Sequence, residues 1–249
     1  MKKLKIKNLY IYFSAVLTFM LHLPVVFANT TITTAKKIAD PIITPAMNCK
    51  MIAAVKIYDS LKLNIQGLSE HAFLYAMKGF DYLKASGKFA NDHIISIVDF
   101  TKASSQKRLF VIDTDHYKLL FKTYVAHGQG SGAEMATQFS NIAESFQSSL
   151  GFYRTSNTYM GKNGFSLKLC GLENGINSNA EDRAIVMHGA PYVSDEIAQN
   201  KGNVGRSWGC PAVSEKLSKP IIEKIKNGTC LFIFSENKKY LHASKIINA

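Results

Sequence analysis

Met187-His188-Gly189-Ala190-Pro191-Tyr192 and, beyond a polar loop, Gly205-Arg206-Ser207-Trp208-Gly209-Cys210-Pro211-Ala212-Val213 carry the reading of this chain. Arg183 to His188, apolar from Ala184 to Met187, reads as a strand ending in an imidazole at a sheet rim. The glycine-rich loop then delivers Cys210 to what reads as the start of a helix. Pro211 suits a first helical position, where a missing N–H is harmless. Cys210 at or near the N-cap would have its thiolate favoured by the helix dipole and by a neighbouring imidazolium. A free thiol titrates near pH ~8.5, so such help matters at neutral pH. Gly209 permits a tight turn that aims its own N–H and that of Cys210 at a developing oxyanion. The same stretch also fits the G-x-S-x-G elbow of serine hydrolases, with Ser207 as nucleophile. That elbow needs a strand directly before it and a later acid and histidine. Gln199 to Val204 is polar loop instead, and His242 is the only later histidine. A lone cysteine is usually a small buried hydrophobe, and a lone strand histidine usually a structural one.

Working outward, the texture is helices first and strands after. Residues 48–87 are helical in period. Met51, Val55 and Tyr58 recur at helical spacing, and Gly67 ends the first element. Ser69 is placed to cap the next helix, with Glu70 in its first turn and Gly87 as its stop. Phe73, Ala76, Met77, Phe80 and Leu83 line one face of it, the pattern of ordinary core. Strand-like runs follow at 94–100, 108–113, 118–126, 167–169, 183–188 and 228–234, with Thr114-Asp115-His116 as a hairpin turn. Residues 211–227 read as helix, in two pieces broken near Ser218. The expected class is α+β: N-terminal helices over 48–90, then a mainly antiparallel β core over 91–236, with a helix following Cys210, in one catalytic domain spanning 48–249.

The first 28 residues carry Lys2, Lys3, Lys5 and Lys7, an apolar run from Leu9 to Phe19, and Val26-Phe27-Ala28 at the end. That three-part layout reads as a secretory signal cleaved after Ala28, leaving no stable membrane insertion and placing the protein in the periplasm or outside the cell. An uncleaved anchor is the alternative; His22 and Pro24 weaken it. Residues 29–47 read as a linker. Losing those four lysines takes the formal charge from +12 to +8. A basic exported chain suits an anionic surface or polymer such as a cell wall, and nucleic acid is a poor partner for it. Cys49, Cys170, Cys210 and Cys230 show neither CxxC pairing nor zinc-like spacing, so no metal is expected. Beyond Cys210, three cysteines allow at most one bridge, and the sequence leaves its partners open. His127-Gly128 is a second His-Gly pair, an alternative base that otherwise lines the cleft or stabilises a turn.

The His188-Gly189 pair followed by Ser207-Trp208-Gly209-Cys210 resembles the signature of the L,D-transpeptidase catalytic-domain family (YkuD-like), in its murein L,D-transpeptidase catalytic-domain branch. Arg108 to Asp113, Val125 to Gly128, Ser148 to Tyr153 and Tyr192 to Ser194 support the likeness, which spans about residues 50–235. Trp208 stands where most of the family has a second histidine, so no role resting on that histidine carries over. Pro211-Ala212 stands where many members carry an Arg or Asn. The resemblance implies Cys210 as nucleophile, His188 as base and the Gly189 carbonyl as its orienting acceptor. It implies peptidoglycan stem peptides as partners, a thioester formed at an L,D bond and passed to an amine, and no cofactor. Water as the acceptor would make the enzyme a carboxypeptidase, and a silent wall-binding module would keep only the fold. Gly209, Ser207, Trp208, Arg206, Tyr192 and His127 are the expected oxyanion and substrate-side residues, with Arg206 facing a substrate carboxylate.

Overall fold

The computed structural model describes residues 45–249, with side chains from 49 onward. The expected signal segment and residues 29–44 of the expected linker lie outside it. Helix α1 (Pro45–Ser60) opens three residues inside the span read as linker, on a proline suited to a helix start. A one-turn helix α2 (Leu63–Gln66) ends on Gly67, whose φ of 90° lets the chain reverse. Helix α3 (Glu70–Ala85) is capped by the Ser69 side chain, which accepts from the Ala72 N–H. Its buried stripe holds Phe73, Ala76, Met77, Phe80 and Leu83 as the period predicts.

Eight strands form one sheet: β1 (Ile94–Asp99), β2 (Leu109–Asp113), β3 (Lys118–Thr123), β4 (Gly151–Gly161), β5 (Gly164–Gly171), β6 (Val186–Ala190), β7 (Ala212–Ser214) and β8 (Cys230–Phe234), in the order β3-β2-β1-β8-β4-β5-β6-β7. Five of the seven pairings are antiparallel. The exceptions are β1 with β8 and β6 with β7, both parallel. Strands β1, β2 and β8 are buried at every position, which is why their sequences are mostly apolar, broken only by Ser96 and Asp99 in β1 and Asp113 at the end of β2. The α+β, mainly antiparallel architecture expected from the sequence is the observed one.

Strand β4 escaped the apolar pattern. Its outer half, from Arg154 on, is largely exposed and polar, so no period marks it; it is held by pairing with β5 along its length and with β8 through its first four residues.

Three local expectations are corrected. Strand β6 begins at Val186 rather than Arg183, because the segment before it is a turn: Ile185 N–H donates to the Ala180 carbonyl at 2.9 Å and Ala184 has φ 52°. His188 is therefore the middle residue of its strand and not its end. Cys210 does not head a helix. Residues 212–214 pair as β7 against β6, and helix α5 (Glu215–Ile225) starts only after Ser214. The dipole of α5 acts within about its first turn and does not reach Cys210. Helix α5 is also continuous. Ser218 is buried within it with its hydroxyl on the Glu215 carbonyl, and Pro220 sits on the exposed face.

Helices α4 (Asp195–Lys201) and α6 (Lys238–Ala243) complete the chain. The buried Glu173 ties α6 to the sheet, accepting from Tyr240 Oη at 3.1 Å, from the Ser244 hydroxyl and from the Phe152 N–H at 2.8 Å. Helix α5 lies over β6 so closely that a Cβ on Gly189 would stand 2.8 Å from the Ser218 hydroxyl.

Candidate active site

Parallel pairing of β6 with β7 sets His188 opposite Ala212, and this register carried two residues back brings Cys210 beside Val186. The Val186 N–H donates to Cys210 Sγ at 3.4 Å, and the thiol lies 3.7 Å from the Ala184 carbonyl. The loop before it is braced from within. Ser207 Oγ donates to the Cys210 carbonyl at 2.7 Å and accepts from the Gly209 N–H at 3.1 Å. Ser207 is buried and its hydroxyl proton is committed, so it is a turn brace rather than a nucleophile, an oxyanion donor or a substrate contact. The Gly209 N–H is likewise taken and drops out as an oxyanion donor. The Cys210 N–H meets no acceptor among the described residues. Gly209 adopts φ 127°, and a Cβ there would meet the Gln147 carbonyl at 2.9 Å. Gly128 packs back to back against it: a Cβ on Gly128 would lie 2.9 Å from Gly209 Cα. Ser148 closes this joint, donating to the Gly209 carbonyl and accepting from the Gly128 N–H.

His188 is buried on β6, and its Nδ1 lies 2.8 Å from the Gly189 carbonyl. A carbonyl only accepts, so Nδ1 carries the proton and Nε2 keeps its lone pair. Burial pulls the His188 pKa below its ordinary value, with the Gly189 contact working the other way. Burial pushes the Cys210 thiol up, against weaker opposing effects of the Val186 N–H and Arg183. The resting pair is thus a neutral imidazole and a neutral thiol. The thiolate expected from a helix N-terminus is not there, because no helix N-terminus is.

His127 is fully buried, so its side chain does not line a cleft. Arg108, also fully buried, places Nη2 2.7 Å from His127 Nδ1. A guanidinium only donates, so Nδ1 accepts and Nε2–H donates to the Gly132 carbonyl at 3.2 Å. With its lone pair taken, and with burial and then Arg108 lowering its pKa to about 4, His127 has no free basic nitrogen. It serves the turn: its carbonyl accepts from the Ser207 N–H at 2.9 Å. Arg108 itself also donates to the Val125 and Lys102 carbonyls and lies over the Phe100 ring, 4.7 Å from the centroid; burial lowers its pKa to about 9. The sequence held one signal for this, an arginine opening an otherwise apolar strand.

Two cavities flank this region. One of about 370 Å³ is walled by Ala184 and Val186, the residues that touch Cys210 Sγ, together with Tyr159, Lys168 and Glu181. The second, of about 330 Å³, brings together Tyr192 and Arg206 with Gln129, Lys201 and Asn203. Burial, and secondarily Cys210, raises the Tyr192 pKa. Arg206 is exposed and donates to the Gly132 carbonyl at 3.2 Å. Trp208 is 69 % exposed and meets Phe146 edge-on at 5.7 Å. Arg183, which the sequence reading passed over, donates to the Ser140 and Gln147 carbonyls and to the Ser145 and Ser149 hydroxyls. No three His, Cys, Asp or Glu side chains are gathered as a metal would need among the described residues.

Residues 64–234 match the YkuD_2 family model, described as an L,D-transpeptidase catalytic domain. The chain belongs to the L,D-transpeptidase catalytic-domain family. No curated protein sequence matches it. Similar solved structures include an L,D-transpeptidase from Mycobacterium smegmatis (10 % identity, 57 % of this chain and 59 % of that one, TM-score 0.35). Others are an L,D-transpeptidase from Stackebrandtia nassauensis (15 % identity, 76 % and 79 %, TM-score 0.35) and the helical cell shape determining protein Pgp2 from Campylobacter jejuni (13 % identity, 62 % and 53 %, TM-score 0.39). The chain spans about three fifths of the length of the first of these. Family membership rests on the sequence match, which takes in every residue of the site described above.

Proposed function

We propose that this L,D-transpeptidase-family domain is an exported cysteine acyltransferase acting on peptidoglycan stem peptides, with Cys210 as nucleophile and His188 as base. The observation that carries the reading is the tautomer of His188. Its Nδ1–H is committed to Gly189, and its basic Nε2 belongs to the strand along whose edge Cys210 Sγ is held. Because thiol and imidazole both rest neutral, the proton moves as the bond forms. His188 Nε2 takes the Cys210 proton while Sγ attacks the carbonyl carbon of the L,D peptide bond. The oxyanion is met by the Cys210 N–H. Collapse expels the terminal residue as an amine, which takes the proton from His188, and leaves a thioester. An amine of a second stem attacks the thioester, gives its proton to His188 and releases the thiol. The cavity walled by Ala184 and Val186, the residues that touch Cys210 Sγ, suits the donor stem. Lys201 and Arg206 in the second cavity suit a carboxylate.

The test is mass spectrometry of purified disaccharide tetrapeptides incubated with the protein. Cross-linked dimers, one terminal residue lighter than two monomers, and an acyl adduct on Cys210 are expected. Accumulating tripeptide without dimer would assign hydrolysis instead. Unchanged substrate with no adduct would leave a silent binding module.

A further inference from the structure

We propose that Arg183 is the positive charge that stabilises the Cys210 thiolate, supplied from the turn before β6. The inference rests on the reading of Cys210 as nucleophile. The turn does two things at once. Ala184, in the left-handed region at φ 52°, presents its carbonyl to Cys210 Sγ at 3.7 Å. Arg183, one residue earlier, puts its guanidinium against the cysteine loop: a Cβ on Gly209 would stand 3.4 Å from Arg183 Nη2.

The guanidinium is fixed there by four hydrogen bonds of 2.6–3.3 Å to Ser140, Ser145, Gln147 and Ser149, all neutral oxygens. It forms no ion pair with a carboxylate among the described residues. Simple bracing of a loop does not require a half-buried charge, and a half-buried charge is costly when nothing of opposite sign faces it. The anion that completes the arrangement is the thiolate formed when Cys210 loses its proton. Burial raises the Cys210 pKa and lowers that of Arg183, and each group works against the other's shift, Arg183 alongside the Val186 N–H and Cys210 alongside Tyr153.

Other titratable groups face the pair. His188 lies on β6 and Tyr192 follows it. Lys168 of β5 and Glu181 line the cavity that borders Sγ. Buried Tyr153 of β4 faces Arg183. Among them Arg183 alone is both permanently charged and locked in place by its own hydrogen bonds.

Arginine and lysine separate charge from bracing, since lysine keeps the charge but loses the planar fork that holds four oxygens. The experiment follows the rate of Cys210 alkylation by iodoacetamide against pH, with peptide mapping, in the wild type, Arg183→Lys and Arg183→Met. It needs no stem-peptide turnover, so its outcome is independent of the acyl-transfer assay. Arg183→Met should shift the alkylation profile up by about one pH unit, slowing the reaction roughly tenfold at neutral pH, and Arg183→Lys should stay near the wild type. A Met profile that overlays the wild type overturns the proposal. So does a Lys profile displaced as far as the Met one, which would make Arg183 a brace only. If Arg183→Met does not fold, the Lys profile decides alone: unshifted supports, shifted by a unit overturns.

Discussion

Cys210 and Ser207 sit three residues apart in one turn and face opposite tests. Cys210→Ala should abolish turnover and the acyl adduct. Ser207→Ala removes two hydrogen bonds that hold the Cys210 loop, at about 1 kcal/mol each, and should lower kcat/KM by roughly ten- to a hundredfold without abolishing it. The reverse pattern would restore the serine elbow. For His188, replacement by Ala should slow acylation by about two to four orders of magnitude, the range for a lost general base. His127→Ala should act mainly on stability. With His188 as the proposed base the imidazole must be neutral, and burial holds its pKa below the ordinary histidine value, so the acid limb of kcat/KM should fall below pH ~6.5. A limb at or above that value would remove His188 from the base role. Cys49 is exposed on α1, whereas Cys210 is partly covered and its thiol pushed up, so alkylation of the native protein should reach Cys49 before Cys210. Cys230, fully buried, should label only on unfolding.

Element by element, the helices obey local chemistry and the site strands do not. Ser69→Ala should cost about 1 kcal/mol in urea unfolding, because its hydroxyl is the cap of α3. Helix α5 keeps Ser218, Ile221, Ile222 and Ile225 on its buried face, at i, i+3, i+4, i+7 spacing. Its start was misplaced because Pro211-Ala212-Val213 suits an extended edge as well as a helix opening. Only pairing with β6 on one side and with Ala126 on the other decides for the strand. Pairing of β4 with β5 and β8 separates two of the cysteines. Arg154 of β4 stands directly opposite Cys170 on one side and Cys230 on the other. The Cα atoms of those two cysteines are therefore two strand spacings apart, roughly 9–10 Å, beyond disulfide reach.

For the whole molecule, the buried Arg108–His127 pair makes stability depend on pH. His127 has a folded pKa of about 4 against an ordinary 6.5, so the fold prefers it neutral. Its contribution is intact above pH ~6.5 and is lost as pH falls through about 4, at most about 3 kcal/mol. His188 acts in the same direction. Glu173, held above the usual carboxylate range by burial, acts in the opposite one. The check is therefore a comparison of urea unfolding at pH 7 and 4.5. His127→Gln, which can accept from Arg108 and donate to Gly132, should lose less stability between the two than the wild type. An equal loss would show that His127 is not the titrating group.

What the sequence alone determined was local: the capped α3, the buried runs of β1, β2 and β8, the β2–β3 hairpin, and the His188-Gly189 and Ser207–Cys210 motifs. Each is written in spacing or in residue types a few positions apart. The tertiary structure decided what depends on partners distant in sequence. Arg108 and Arg183 gained their places because guanidinium groups taken out of water need acceptors, found 6 to 43 residues away. Which ring nitrogen each histidine spends on a neighbour also came from the tertiary structure: both for His127, Nδ1 alone for His188. The setting of Cys210, at a strand edge and not on a helix, came from sheet register. Register is a property of pairs of segments, and one segment read by itself does not contain it.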